Sequence, residues 1–588
     1  MKSKGMKWAV GLAAAVAVST IASTSSAAGR PSAVSAKKGG SIVYAIPDTL
    51  GGWCIPTALT GGPLGVTRMV YESLVDRDSK GNFIPQLASK WVASEANKVW
   101  TFTLRPNIVF STGEEFNAEV VKLNMDLGRG LILNGTLAGR TLKNANYGST
   151  GVGVNANILQ VDAPDPLTVK VTLDRPDGDF IALMYRAGRY VMRAPSQLLK
   201  ADGSTYARTE TGAGTCNNNG VGTGPFKIES YDPSNIVLVR NDKYWRKDKS
   251  GVQLPYLDKI TVTVVKEGLQ RALAVRKGTV DAAYFGLVDA TFIKDLQKRK
   301  SLVTEYRGVP SSWGQWMPNV NKAGSPFKYK NCRLAAAYAM DWKTFNTSRY
   351  RGLATYSGSI VDKGHIMFTT KGAPKYNVAT AKEYNAKCTA DLGSPMKVTL
   401  YADTTAASLN SSKLIKSQLE AAGIGTNEIF QAESTTLVNN YIYVAGGNKM
   451  DFAQGTPAEG PGSGYVTMFF ITQAFPAGAK SPVASTAIGK GYNTITALGN
   501  HTDTKVDDLV YAAQAETDPK QAKIKFQAAA TYLMEEGYAI PTLHSAAWTF
   551  VNKKAKLGGI GLFKNPDGKT FAPTKDIKGF EWTGIWNG

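Results

Sequence analysis

Three histidines and four cysteines are all that 588 residues provide of the usual metal and nucleophile chemistry. His365, His501 and His544 stand far apart, and no HExxH, serine-elbow GxSxG or Walker GxxxxGK[ST] motif occurs. The short-range marks of zinc proteases, elbow hydrolases and phosphate-binding loops are therefore missing. A triad assembled across a fold leaves no such trace, and the abundant carboxylates single out no glycosidase pair. Cys54, Cys216, Cys332 and Cys388 lack the close spacing of a zinc site. Beyond the N-terminal leader no stretch is long and apolar enough for a membrane helix. No basic stripe with interleaved aromatics marks a nucleic-acid surface, and no internal repeat is visible. No cofactor or metal is expected.

The leader is distinctive. Lys2, Lys4 and Lys7 precede an apolar run over residues 8–18, and small residues at 26–28 offer a cleavage site, with a second near Ala36. That pattern predicts a secretory signal peptide over residues 1–28 and an exported, soluble mature chain that is periplasmic, held in the cell envelope or extracellular. No cysteine follows the run, so a lipid-anchored form is not expected. With 43% hydrophobic and 19% charged residues the remainder has the composition of a globular protein. The net charge of +22 is scattered, its densest run being Lys298-Arg299-Lys300, which reads as a solvated surface. Attraction to an anionic cell surface or to acidic ligands stays open. Export permits disulfides, and four cysteines allow three pairings.

Residues 221–265 organise the rest. Gly222 and Gly224 permit tight backbone geometry, and Pro225 keeps a helix from starting. Two strands follow, at 236–239 and 260–265; in the second, Ile260, Val262 and Val264 alternate with Thr261 and Thr263. Within this stretch GTGPFKIESYDP, RNDKYW and LPYLDKI resemble, in order and spacing, the blocks of family 5 extracellular solute-binding proteins, the oligopeptide-, dipeptide- and nickel-binding receptors of ABC importers. Further blocks fit the resemblance: Tyr71-Glu72-Ser73-Leu74 with Pro85, Leu87-Ala88 and Trp91; Asp165-Pro166 with the alternating run 168–173; Gly278 to Asp281; and Arg333 to Asp341.

The resemblance implies an α/β, periplasmic-binding-protein-like fold of two lobes joined by a hinge, with an extra subdomain inserted in the first. The expected division is 40–75, 196–306 and 538–588 for the first lobe, 76–195 for the insert and 307–537 for the second lobe. It also favours Cys332–Cys388, both in the second lobe, with Cys54–Cys216 as a companion pair. Helices are expected at 269–275, at 412–422 closed by Gly423, and at 519–536 capped by Asp518; Asn117 is expected to cap another. Residues 50–63 read as a loop and 128–156 as a long surface excursion.

A receptor cleft needs aromatic walls, glycines and a few polar anchors. Three loops have that composition: 48–57 with Trp53, 309–319 with Trp313, Gln315 and Trp316, and 451–465 with Gln454, Glu459 and Tyr465. Tyr284 and Phe285 add to the wall, whereas Tyr244 and Trp245 read as packing. Peptide-binding members carry an acidic residue in a "W…DP" block that pairs with the peptide amino terminus. Residues 454–465 lack both that aspartate and the tryptophan, and Glu459 is the substitute on offer. The expectation is a monomeric receptor, not an enzyme, for a peptide or other small solute, delivering to an ABC permease and binding no nucleic acid. A saccharide or opine-like solute is the alternative ligand class. An exported hydrolase of peptides, esters or glycosides is the alternative activity, and an adhesion or sensory module on the same fold a third reading.

Overall fold

A computed structural model of the chain describes residues 37–50, 52–53, 61–77, 82–128, 131, 133–137, 140–145, 158–185, 190–205, 220–248, 250–308, 314–320, 322–432, 437, 450–455, 501, 503–559 and 582–587. The first strand, β1 (Ser41–Ile46), is followed by α1 (Gly61–Val70). That helix starts inside the stretch expected as loop. Pro63 is tolerated because the N–H groups of a first helical turn have no intrahelical partner to lose.

The insert comprises β2 (Ala88–Ser94), β3 (Val99–Leu104), α2 (Ala118–Gly128), β4 (Ile158–Asp165) and β5 (Thr168–Leu173). Its strands form an antiparallel sheet in the order β2-β3-β5-β4. Asn117 caps α2, its Oδ1 accepting from Val120 N at 3.1 Å, and Val120, Leu123 and Leu127 are buried along one stripe. Within the expected excursion the described residues contain a hairpin, Leu133–Leu137 against Arg140–Ala145.

Then come β6 (Phe226–Asp232), β7 (Asn235–Arg240), β8 (Lys259–Val264), α3 (Gly268–Lys277), β9 (Ala282–Phe285), α4 (Ala290–Gln297) and β10 (Val303–Arg307). The second lobe carries β11 (Gln315–Pro318), α5 (Lys330–Ala339), α6 (Trp342–Tyr350), α7 (Val378–Leu392), β12 (Lys397–Ala402), α8 (Ala406–Ala421), β13 (Gly425–Gln431), β14 (Phe452–Gly455), α9 (Thr504–Gln514), α10 (Pro519–Glu535) and β15 (Ile540–Pro541). The chain returns as β16 (Trp548–Asn552). Helix α8 begins six residues earlier than its sequence suggests, because Thr405 caps it by accepting from Ser408 N. Asp518 caps α10 by accepting from Lys520 N and Gln521 N at 3.0 and 2.8 Å.

The first-lobe sheet has the order β6-β7-β8-β1-β9-β16-β10. β1 runs parallel to β8, from Ser41 opposite Lys259 to Ile46 opposite Val264, and β16 returns antiparallel to β9 and β10. Strand alternation fills a core on each face. Tyr44, Ile260, Val262 and Tyr284 point one way; Ala45, Ala283, Phe285 and Phe550 point the other. A third core belongs to the second lobe, where Cys332–Cys388 joins α5 to α7 as expected. The proposed Cys54–Cys216 pair lies outside the described residues. A fourth core is continuous from Phe102 and Val171 of the insert to Met317, Val510, Phe526 and Leu533. The insert thus packs against second-lobe helices: Gly178 N donates to Gln514 O at 2.8 Å, and the Arg175 guanidinium lies 4.5 Å over Tyr511.

Candidate functional site

After β10, Gly308 and Gly314 lie beside the segment between β15 and β16. Gly308 N donates to Ala547 O at 2.8 Å, Thr542 N to Gly314 O at 2.7 Å and Gly314 N to Ile360 O at 3.2 Å. At Gly314 a Cβ would come within 2.3 Å of Leu543 O, so the segments approach each other only because this residue has no side chain. Arg307 lies over Trp548, its guanidinium 5.3 Å from the ring, and donates to Leu353 O at 3.3 Å. Leu287 and Tyr350 touch the cores of both lobes.

The carboxyl ends of β1, β8 and β9 face this junction, the edge at which open α/β sheets hold ligands. Buried Arg271 fastens that corner. Its guanidinium donates to Tyr284 O at 3.1 Å and to Val265 O and Lys266 O at 2.6 Å each, and it pairs with Asp289. Burial raises the Asp289 pKa, and the Arg271 charge opposes the shift. In the sequence Arg271 falls on the buried stripe of α3 with Gly268, Ala272 and Val275, which was the available signal that its charge is spent internally.

A second buried carboxylate explains why the blocks of the opening stretch travel together. Glu72 accepts from Trp245 Nε1 at 2.7 Å, Thr223 Oγ1 at 3.1 Å, Tyr244 OH at 3.1 Å and Gln86 Nε2 at 3.3 Å, with Arg246 Nη2 at 3.7 Å. YESL, GTGPF and DKYWR therefore meet on one carboxylate. Burial raises its pKa, while Arg246 and the donors hold the shift back. Tyr244 and Trp245 serve structure, as expected.

The residues expected on a cleft wall fare differently. Trp53 is buried in the first-lobe core beside Tyr71 and Tyr231, and its carbonyl accepts from Gln197 Nε2 at 2.8 Å. Tyr284 and Phe285 are interior residues on opposite faces of β9, the latter edge-on to Phe550. Gln315 and Trp316 lie on β11, the central strand of a three-stranded sheet, and not on a loop; residues 452–455 pair with it as the strand β14, in a register that sets Gln454 opposite Trp316. Trp316 is 3% exposed, with ring centroids of Trp342 and Phe452 at 5.0 and 4.9 Å. Its contacts are those of a core residue. Gln315 is fully buried, its Nε2 lies 3.6 Å from Met317 Sδ, and its carboxamide oxygen has no partner; Thr542 Oγ1 on the neighbouring segment has none either. Trp313, Glu459 and Tyr465 lie outside the described residues.

Among the described residues no group of three or more His, Cys, Asp or Glu side chains is placed to hold a metal ion. His365 Nδ1 accepts from Met367 N at 3.1 Å, and His501 stacks on Tyr538 at 4.6 Å. His544 Nε2 lies 2.8 Å from Ser357 Oγ, a contact that resembles a nucleophile–base pair. The imidazole is wholly buried, however, and Ser357 Oγ is also engaged with Ser359 O and Val361 O at 3.3 and 3.2 Å. That arrangement pins a turn onto the strand at Leu543–His544.

A family model, bacterial extracellular solute-binding proteins, family 5 Middle, matches residues 82–475. The chain is 31% identical over 234 residues to the nickel-binding periplasmic protein of Escherichia coli K12, covering 39% of this chain and 38% of that one. It is 28% identical over 288 residues to the probable D,D-dipeptide-binding periplasmic protein DdpA of the same strain, covering 47% and 48%. The chain thus spans about half the length, or less, of these curated relatives. Among solved structures it resembles AgaA of A. tumefaciens R10 in complex with agropinic acid, with a TM-score of 0.71, 18% identity and coverage of 93% of this chain and 99% of that one. It also resembles DppA of Helicobacter pylori in complex with the peptide STSA, with a TM-score of 0.70, 19% identity and coverage of 94% and 98%. Both likenesses show the periplasmic-binding-protein fold expected from the sequence. With the family model covering most of the chain, the protein belongs to the bacterial extracellular solute-binding proteins of family 5.

Proposed function

We propose that the chain is an exported receptor that captures a small solute at the junction of its lobes and delivers it, unaltered, to the permease of an ABC importer. The observation that carries this reading is the paired approach of Gly308 to Ala547 and of Gly314 to Thr542, with one packed core on the first-lobe sheet and another in the second lobe. Such a junction lets two rigid bodies close on a ligand, provided the ligand gains contacts in the closed state. The lobe boundaries given above, with 307 and 538 as turning points, and a monomeric state belong to the same proposal.

A peptide is the leading solute, in line with the dipeptide-binding relative and the peptide complex. An opine-like solute is the second reading. It is favoured by the missing acidic anchor in residues 454–465 and by the agropinic acid complex. A buried peptide ammonium without a counter-charge costs several kcal/mol, by the usual order of magnitude. Gln315, with an unspent carboxamide oxygen beside the crossing, is the proposed polar anchor. Mass spectrometry of whatever co-purifies with gently prepared protein identifies the solute, and Gln315→Leu is expected to weaken its binding at least about tenfold, the worth of one lost hydrogen bond to a buried group. Unchanged affinity would remove Gln315 from the site. Turnover of generic peptide, ester or glycoside substrates would replace the receptor by the hydrolase.

A further inference from the structure

The strand starts of β1, β8, β9 and β10 and the end of β16 lie along one edge of the first-lobe sheet, opposite the edge from which the chain crosses to the second lobe. Three segments that are distant in sequence converge there. Asn552 Nδ2 donates to Val275 O and Arg276 O at 2.6 and 3.3 Å, and Lys553 N donates to Leu302 O at 2.9 Å. The convergence gathers Lys277 at the end of α3, Lys298 and Lys300 after α4, and Lys553, Lys554 and Lys556 after β16, every one exposed. Among the described residues none of the six forms an ion pair. The neighbouring acids are engaged elsewhere. Asp295 pairs with Arg276 and Arg299, Glu305 accepts from Gln297 Nε2, and Asp281 accepts from Val43 N. Lys37 and Lys38, also exposed, extend the row to the start of β1, and Leu302, 40% exposed, sits within it.

We infer that this lysine edge is a docking surface for an anionic phospholipid bilayer. Lysine ammonium groups are flexible, strongly hydrated point charges; the arginines here, whose planar forks recognise fixed carboxylate geometry, are already paired. A cluster of four to eight unpaired basic residues suits a laterally uniform sheet of phosphates, and each contributes about 1 kcal/mol near such a surface. The opposite edge holds the lobe junction, which leaves the lysine face uncovered whether or not a solute is bound. The inference does not depend on which solute that is.

The test is co-sedimentation of the secreted chain with vesicles of phosphatidylcholine alone and of phosphatidylcholine with phosphatidylglycerol. One variant changes Lys277, Lys298, Lys300, Lys553, Lys554 and Lys556 to Gln. A control variant makes the same change at Lys343, Lys363, Lys371, Lys375, Lys382 and Lys413, exposed lysines of the second lobe. Wild type and control are expected to sediment with the anionic vesicles only and to be released by high salt, whose screening length falls to about 3 Å at 1 M. The edge variant is expected to lose at least about tenfold in vesicle affinity while keeping thermal stabilisation by the co-purified solute. An equal loss in the control would mean diffuse attraction by net charge and would overturn the inference. Absence of any preference for anionic vesicles would do the same. An edge variant that still binds vesicles but no longer binds the permease would assign the surface to a protein partner instead.

Discussion

Trp316 separates what a residue's type suggests from what its place in the fold imposes. A tryptophan near a lobe crossing reads as a cleft wall, yet its ring is enclosed by Trp342 and Phe452. Trp316→Ala is therefore expected to cost about 3–5 kcal/mol of stability, measured by denaturant unfolding; a near-neutral effect would return the ring to the cleft. Glu72 makes a pH prediction. Its pKa is raised in the folded state above the ordinary value of 4.5. Its contribution is thus fully present below that ordinary value and is lost as pH rises through the folded value. The stability of wild type minus that of Glu72→Gln should decline over that interval, and a difference that rises with pH would contradict the buried-carboxylate account. Neither role was legible. Period-two alternation marks β11 as strand only once its partners β14 and β15 are known, and a glutamate in a motif does not announce four donors from three other segments.

Among the elements, those with local chemical punctuation were legible. Asn117 and Asp518 mark the starts of α2 and α10, Gly278 closes α3 with φ of 83°, and β5 follows its alternating run over residues 168–173. Elements fixed by long-range pairing were not. β14 reads as a glycine-rich loop because nothing within residues 452–455 reveals the register with β11. The start of α8 was missed because Ser and Thr near a helix start compete for the cap. Cys332–Cys388 links α5 to α7 across 56 residues of sequence. Changing both cysteines to Ser is expected to cost about 2–5 kcal/mol, read as a lower Tm that added reductant no longer changes. A variant as stable as the wild type would show that helix packing alone holds the pair together.

For the whole molecule, the two-lobed architecture followed from the motif blocks, whereas the way the insert packs did not. Its core runs on into α9 and α10 of the second lobe, through contacts such as Gly178 N to Gln514 O, so it belongs to the first lobe by chain order but touches both. In the proposed receptor, closure of the lobes would preserve or rearrange that contact, and the insert would then be part of the moving system. The receptor account rests on binding without chemistry, and a single incubation tests it. The protein is freed of its co-purifying compound, the identified compound is added back, and thermal unfolding and the compound's mass are followed together. The account predicts a Tm that rises with compound concentration, by about 2.7 kcal/mol of stability at a hundredfold excess over Kd, with the compound recovered intact. A compound converted to product, or a Tm indifferent to it, would contradict the account.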